Sequence, residues 1–299
     1  VKTQHFLNTF TGLQKTALSL EYFSSGAKDL TYVLKIVSDK DSKTGDLDLE
    51  SPAASFKKAY FESAASLEIL KNAYVPLFYS KIESNQKNIS NINSISQAAW
   101  EFTKILPTIT GTLGTKNYLV LLQNNTELRP GGGFIGSYAL VEFESGKLKN
   151  IKVDDIYTID GQLKELISPP PQITEKLGTD RLYLRDSNWS LDFEINAKTA
   201  QDFFKKETGT DVDGVIAIDL NYIQDLLSKL GAIKRDDFNE EITSENLFDK
   251  GEYYAEVGFF PGSTQKKDFF SSLTRSMISK IIVSLSATNS DKNLQVPLL

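Results

Sequence analysis

The chain has no cysteine, which excludes thiolate nucleophiles, thiolate metal ligands and disulfides. It has one histidine, His5, placed ahead of any motif, so Ser-His-Asp catalysis and histidine-rich metal sites are excluded as well. No run of about 18 apolar residues occurs, and no basic-then-apolar leader is visible. Basic character is also lacking: 33 Lys and Arg stand against 39 Asp and Glu, for a net charge of -6 and a pI near 5.1. Neutralising phosphates along a nucleic acid needs a clustered basic face, and no segment supplies one, so nucleic acid is not an expected partner. Whatever chemistry the protein performs falls to carboxylates, Arg, Lys, hydroxyls and backbone amides.

What is present divides in two. Phe6, Phe10, Leu13 and Ala17, then Phe56, Tyr60, Ala64, Leu67 and Leu70, fall at helical spacing, and Ser51-Pro52 suits a helix start. Residues 1–110 therefore read as three or four helices in a separate helical domain, a bundle or arm, with the apolar stripes as its core and Trp100 among them. After Pro107 the period changes. Tyr118 to Leu122 suits a buried strand, and Ser137 to Phe143 alternates before a Ser145-Gly146 turn into a second strand. Ala197 to Lys206 reads as an amphipathic helix, Val212 to Ile218 as a buried strand, Leu220 to Leu230 as a helix ended by Gly231, and Lys267 to Leu285 as a last helix. The fold class is α/β, with a mixed sheet in a domain spanning 115–299.

RPGGGFIG, Arg129 to Gly136, spells G-x-G-x-x-G through Gly131, Gly133 and Gly136, with Asp154 about 20 residues on. A dinucleotide fingerprint needs those glycines to open a helix whose amides receive the pyrophosphate. Here they open a strand, so the expectation is a loop entering an antiparallel pair. Three consecutive glycines still let backbone approach a ligand or a neighbouring strand closely.

Arginine reads phosphate or carboxylate through bidentate, charge-assisted bonds, so Arg129 beside that glycine backbone fits an anion site. YLRDSNWSLDF concentrates Arg185, Asp186, Asn188, Trp189 and Asp192, polar groups with one flat aromatic face, as at a ligand rim. Glu127, Asp155 and Asp160 are candidates for an oxygen-rich magnesium site. The alternative is that these charges are ion pairs fixing two loops against each other. Arg129 and Arg185 both follow short strand-like runs and are expected to converge on one cleft.

LLQNNTELRPGGGFIGSY, DIYTIDGQL, LYLRDSNWSLDF, VDGVIAIDL and FFPGSTQKKDF, colinear over about 180 residues, resemble the bacterial family of unknown function 4012. That resemblance implies an extracytoplasmic cell-envelope protein, tethered by an N-terminal membrane helix outside this chain. More weakly, VDGVIAIDLNYIQDLLSKLGAI is similar to the strand-helix unit of LytR-CpsA-Psr proteins, which transfer polyprenyl-pyrophosphate-linked glycopolymers to the cell wall. That likeness implies a lipid-linked glycan or cell-wall polymer as partner, magnesium as cofactor, and Lys266 and Lys267 as further phosphate ligands. The sequence departs from that pattern at Gly136-Ser137 and Asp154-Asp155, where the second family has Ser-Asp and Arg-Asp pairs, so its catalytic set does not carry over. Two functions follow as expectations: a ligand-binding, transferase-like envelope protein, or a non-catalytic envelope module for a glycan or protein partner.

Overall fold

The structure, a computed structural model, describes residues 2–38, 47–71, 79–235, 240–254 and 265–287. Contacts divide the chain into two compact units, Val1–Leu113 and Gly114–Leu299.

The first unit holds α1 (Lys2–Ser38), α2 (Glu50–Lys71) and α3 (Tyr79–Ile109). α2 runs antiparallel to α1, with Ser51 bonded to Asp29 at one end and Lys15 paired with Glu62 at 2.7 Å towards the other. It is also antiparallel to α3, whose Asn93 and Gln86 reach the carbonyls of Tyr60 and Leu70. The seam between α1 and α2 is built from small and hydroxylated residues. A Cβ on Gly12 would lie 2.6 Å from Leu70, and Ser66 donates to the Gly12 carbonyl at 2.8 Å. This corrects the reading of the first apolar stripe as core. Phe6, Phe10 and Leu13 are exposed, because close approach to α2 selects the opposite, small-residue face of α1. The start of α2 also differs from expectation: Asp48 caps it, its Oδ1 accepting from the amides of Glu50 at 3.0 Å and Ser51 at 3.1 Å.

The second unit is built on a four-stranded mixed sheet in the order β3-β2-β1-β4, with β1 (Thr115–Asn124), β2 (Phe134–Glu144), β3 (Lys147–Asp155) and β4 (Gly214–Asp219). β1 is antiparallel to β2 and parallel to β4, and β2 and β3 form a hairpin through Ser145 and Gly146, both at positive φ as a tight two-residue turn requires. Between β3 and β4 lie α4 (Ile156–Asp160), α5 (Pro171–Leu177), a 3-10 turn (Leu184–Asp186) and α6 (Phe193–Thr208). After β4 come α7 (Leu220–Leu230), the short pair β5 (Ile233–Arg235) and β6 (Glu240–Ile242), α8 (Leu247–Glu252) and α9 (Gln265–Ala287).

Alternation along β1 divides the core. Leu119 and Leu121 join Tyr138, Ile156, Ile159, Phe203 and Phe204 on one face, while Val120 joins Ala139 and Val153 on the other with Phe270 of α9. Both faces are covered, which is why YLVLL reads as an unbroken apolar run. β5, β6, α8 and parts of α7 and α9 enclose a further core around Leu227, Ile233, Ile242, Phe269 and Leu273.

Candidate functional site

The glycine stretch forms the loop between β1 and β2, and β2 begins at Phe134. A register shift between Leu122 and Gln123 marks where β1 gives way to this loop. There the buried Gln123 donates from Nε2 to the Gly131 carbonyl at 3.0 Å. From the other side Asn188, also buried, donates from Nδ2 to the Gly133 carbonyl at 2.6 Å, and its own carbonyl accepts from the Gly131 amide at 2.9 Å. A Cβ on Gly131 would collide with the Asn196 amide nitrogen and, at 2.6 Å, with the Asn188 carbonyl oxygen. The glycines therefore serve close approach of one loop to another, and Asn188, expected at a ligand rim, is a positioning residue for that loop.

This stitching sets Arg129 between two rings, its guanidinium carbon 5.4 Å from the Phe134 centroid and 5.5 Å from that of Trp189. Among the described residues Arg129 has no ion pair: Nη1 donates to the adjacent Leu128 carbonyl at 3.2 Å, and the buried Nε has no partner.

Arg185 is differently placed. Its Nη1 lies 2.8 Å from Asp160 Oδ2, its Nε 3.7 Å from Asp186 Oδ2, and its guanidinium stacks on Tyr183 and Tyr157 at 4.3 Å and 5.2 Å. Burial raises the pKa of Asp186, and the nearby charges of Arg185 and Arg129 oppose that rise. Both arginines therefore act on one carboxylate.

Beneath them lies a carboxylate the sequence reading missed. Glu207, on the buried face of α6 with Asn196, Ala200, Phe203 and Phe204, accepts the Leu184 amide at 3.1 Å. Burial first, and the charge of Asp160 second, push its pKa up to about 8, so it carries its proton at neutral pH. Asp160 is raised to about 6, again chiefly by burial, with Arg185 pulling the other way. The signal for Glu207 was its place at position i+3 from Phe204, on an otherwise apolar stripe.

Among the described residues, the buried side-chain polar atoms without a hydrogen-bond partner concentrate here. Apart from Ser19 and Ser96 in the helical unit, they belong to Asn125, Arg129, Asp160, Arg181, Ser187, Asn188, Trp189 and Glu207. Such atoms are rare in folded proteins, where an ordered water or a bound group ordinarily meets them.

The other expected residues are dispersed. Glu127 is exposed and accepts from Asn124 Nδ2 at 3.3 Å. Asp192 caps α6, accepting the Glu194 amide at 2.8 Å. Asp155 caps α4 and Asp160 ends it, about 7 Å further along the helix axis. One is turned to the Tyr157 amide and the other to Arg185, and no three carboxylate or imidazole groups among the described residues gather to hold a metal. Lys266 and Lys267 lie in the first turn of α9, and their side chains are outside the described residues. An open depression of about 420 Å³ sits at the carboxyl ends of β1 and β4, lined by Gln123, Ile216, Ala217, Ile218, Asp219 and Tyr222. It shares Gln123 with the glycine loop, but Arg129 does not line it.

Residues 114–254 match the family described as protein of unknown function (DUF4012), so the second unit contains a domain of that family. No curated protein and no solved structure matches the chain. Among the described residues no helix is long and apolar enough to cross a membrane.

Proposed function

We propose that the second unit, carrying a domain of that family over residues 114–254, is an extracytoplasmic binding module that holds the phosphate-bearing end of a lipid-linked glycan at Arg129. The observation that carries this reading is the contrast between the two arginines. Arg185 is met by Asp160 and Asp186 at ion-pair distance, whereas Arg129 is fixed between two aromatic faces with no carboxylate that close among the described residues, and its charge reaches Asp186 only from further off. A guanidinium held in plane with unspent donors suits bidentate contact with a phosphate, and the Trp189 ring offers a face for a sugar. The membrane tether and the envelope setting rest on the family resemblance. Magnesium would enter with the pyrophosphate, as at sites where the protein supplies only one or two carboxylates.

Glycan transfer is the second reading, and one observation favours it. Asp160 and Glu207, at about 6 and about 8, titrate on either side of neutrality, the range in which carboxylates exchange protons in catalysis. Binding ranks first because only one arginine is uncommitted.

Calorimetric titration with farnesyl pyrophosphate tests the proposal. The wild type is expected to bind, and Arg129→Ala to bind about 10–100-fold more weakly with its folding unchanged, as the loss of one charge-assisted contact dictates. No binding by the folded wild type would sink the proposal.

A further inference from the structure

We propose that the depression at the carboxyl ends of β1 and β4 is a subsite for one neutral sugar ring, held against Tyr222 by Gln123 and Asp219. Naming that ring a unit of the glycan whose phosphate lies on Arg129 rests on the proposed function; the chemistry of the depression does not. Register places the two acceptors together. β1 and β4 run parallel, and Gln123 and Asp219 are partners on the last rung, so their side chains leave one face of the sheet from strands about 4.8 Å apart. Gln123 spends Nε2 on the Gly131 carbonyl at 3.0 Å, and its Oε1 accepts no hydrogen bond among the described residues. Asp219 divides in the same way: Oδ1 accepts the Tyr222 amide at 2.8 Å and caps α7, while Oδ2 has no partner among the described residues. A Cβ on Gly132 would lie 2.7 Å from Gln123 Oε1, so the glycine there leaves that acceptor uncrowded.

What the walls offer selects the ligand. An amide oxygen and a carboxylate oxygen side by side call for a ligand that brings several donors. No Lys or Arg lines the depression among the described residues, and Asp219 already answers the amino terminus of α7, so a phosphate or carboxylate has nothing to meet there. Ile216, Ala217 and Ile218 supply an apolar floor, and Tyr222, 51% exposed, supplies a ring face. A pyranose joins hydroxyl donors around its edge to an apolar C–H face, and a space of about 420 Å³ at the strand ends accommodates it. An ammonium ion would satisfy Asp219 but leave Gln123 and the apolar floor unanswered.

Saturation-transfer NMR on the full chain, with the methyl glycosides of glucose, galactose, mannose and N-acetylglucosamine as probes, tests this. At least one is expected to bind with a Kd of about 1–10 mM, the class that an open site for a single ring supports. Tyr222→Ala should weaken it about 5–10-fold, whereas Tyr222→Phe, which keeps the ring, should stay within about twofold. Tyr222 is exposed and its cap bond is made by its backbone, so circular dichroism should show both variants folded. The proposal is overturned if no glycoside binds at about 20 mM, if folded Tyr222→Ala binds as the wild type does, or if tetramethylammonium takes the site in preference to the glycosides. Farnesyl pyrophosphate, which carries no sugar, separates the two readings. Calorimetric binding of it without any glycoside binding leaves the Arg129 site standing and sinks this one, and glycoside binding without it does the reverse.

Discussion

Glu207 and Asp160 make the site sensitive to pH, and the direction follows from their shifts. Both fold with a pKa raised above the unfolded value, so each contributes stability that is fully present below about pH 4 and lost as pH rises through about 6 for Asp160 and about 8 for Glu207. The melting temperature of the second unit is therefore expected to fall between pH 5 and 8.5. Glu207→Gln keeps the acceptor for the Leu184 amide and removes the titration, so it should flatten that slope and raise Tm at pH 8 by several degrees. Scanning calorimetry of both proteins at pH 5 and pH 8 checks it, and parallel slopes would show that Glu207 does not titrate in this range. Asp160→Asn keeps an oxygen that can accept from Arg185 Nη1 and removes the other titration, so it should flatten the part of the slope that runs through about pH 6 in the same scans. At this scale Arg129 was legible because it stands beside three glycines that open a strand. Glu207 was hidden because KKETG reads as a solvated helix end, and only the tertiary approach of Leu184 and Asp160 turns that residue inward.

The glycine loop and the 187–196 segment act as one device. Replacing Asn188 by Ala removes the bond to Gly133 and leaves a buried carbonyl without its partner, for a cost of about 1–3 kcal/mol. Gly131→Ala should be at least as damaging, since the new Cβ meets backbone at Asn188 and not only the movable end of Asn196. Because Trp189 follows Asn188 directly, Asn188→Ala should also loosen Trp189 against Arg129 and reduce ligand affinity, whereas a purely structural loop would lose stability alone. Paired unfolding and binding titrations separate the two. Elements with a strong period were readable: the β2-β3 hairpin and α7 lie where alternation and the Gly231 stop put them. α4, α5 and the 3-10 turn were not, because each is shorter than two or three turns and owes its conformation to what it packs on. The face of α1 was misread for a related reason. Periodicity identifies an apolar face but does not say whether a neighbour prefers the small one.

In the whole molecule, the fold class was legible from the switch in period after Pro107, and the division into two compact units falls at Leu113 and Gly114. Each unit has its own buried residues, so residues 114–299 expressed alone are expected to unfold cooperatively with the same pH slope as that transition in the full chain; a broad, non-cooperative melt would show that the helices are required. Function was less legible than fold, because the two arginines look alike in sequence and differ only in which carboxylates the fold brings to them. The chain's two tryptophans allow the claim about Arg129 to be tested at the site itself. In a Trp100→Phe background the remaining Trp189, stacked on Arg129, reports the ligand directly. Titration with farnesyl pyrophosphate is predicted to give a saturable change in Trp189 fluorescence that Arg129→Ala abolishes and Arg185→Lys largely retains, whereas an unresponsive Trp189 in the folded protein, or a response indifferent to Arg129, would contradict an anion site at this residue.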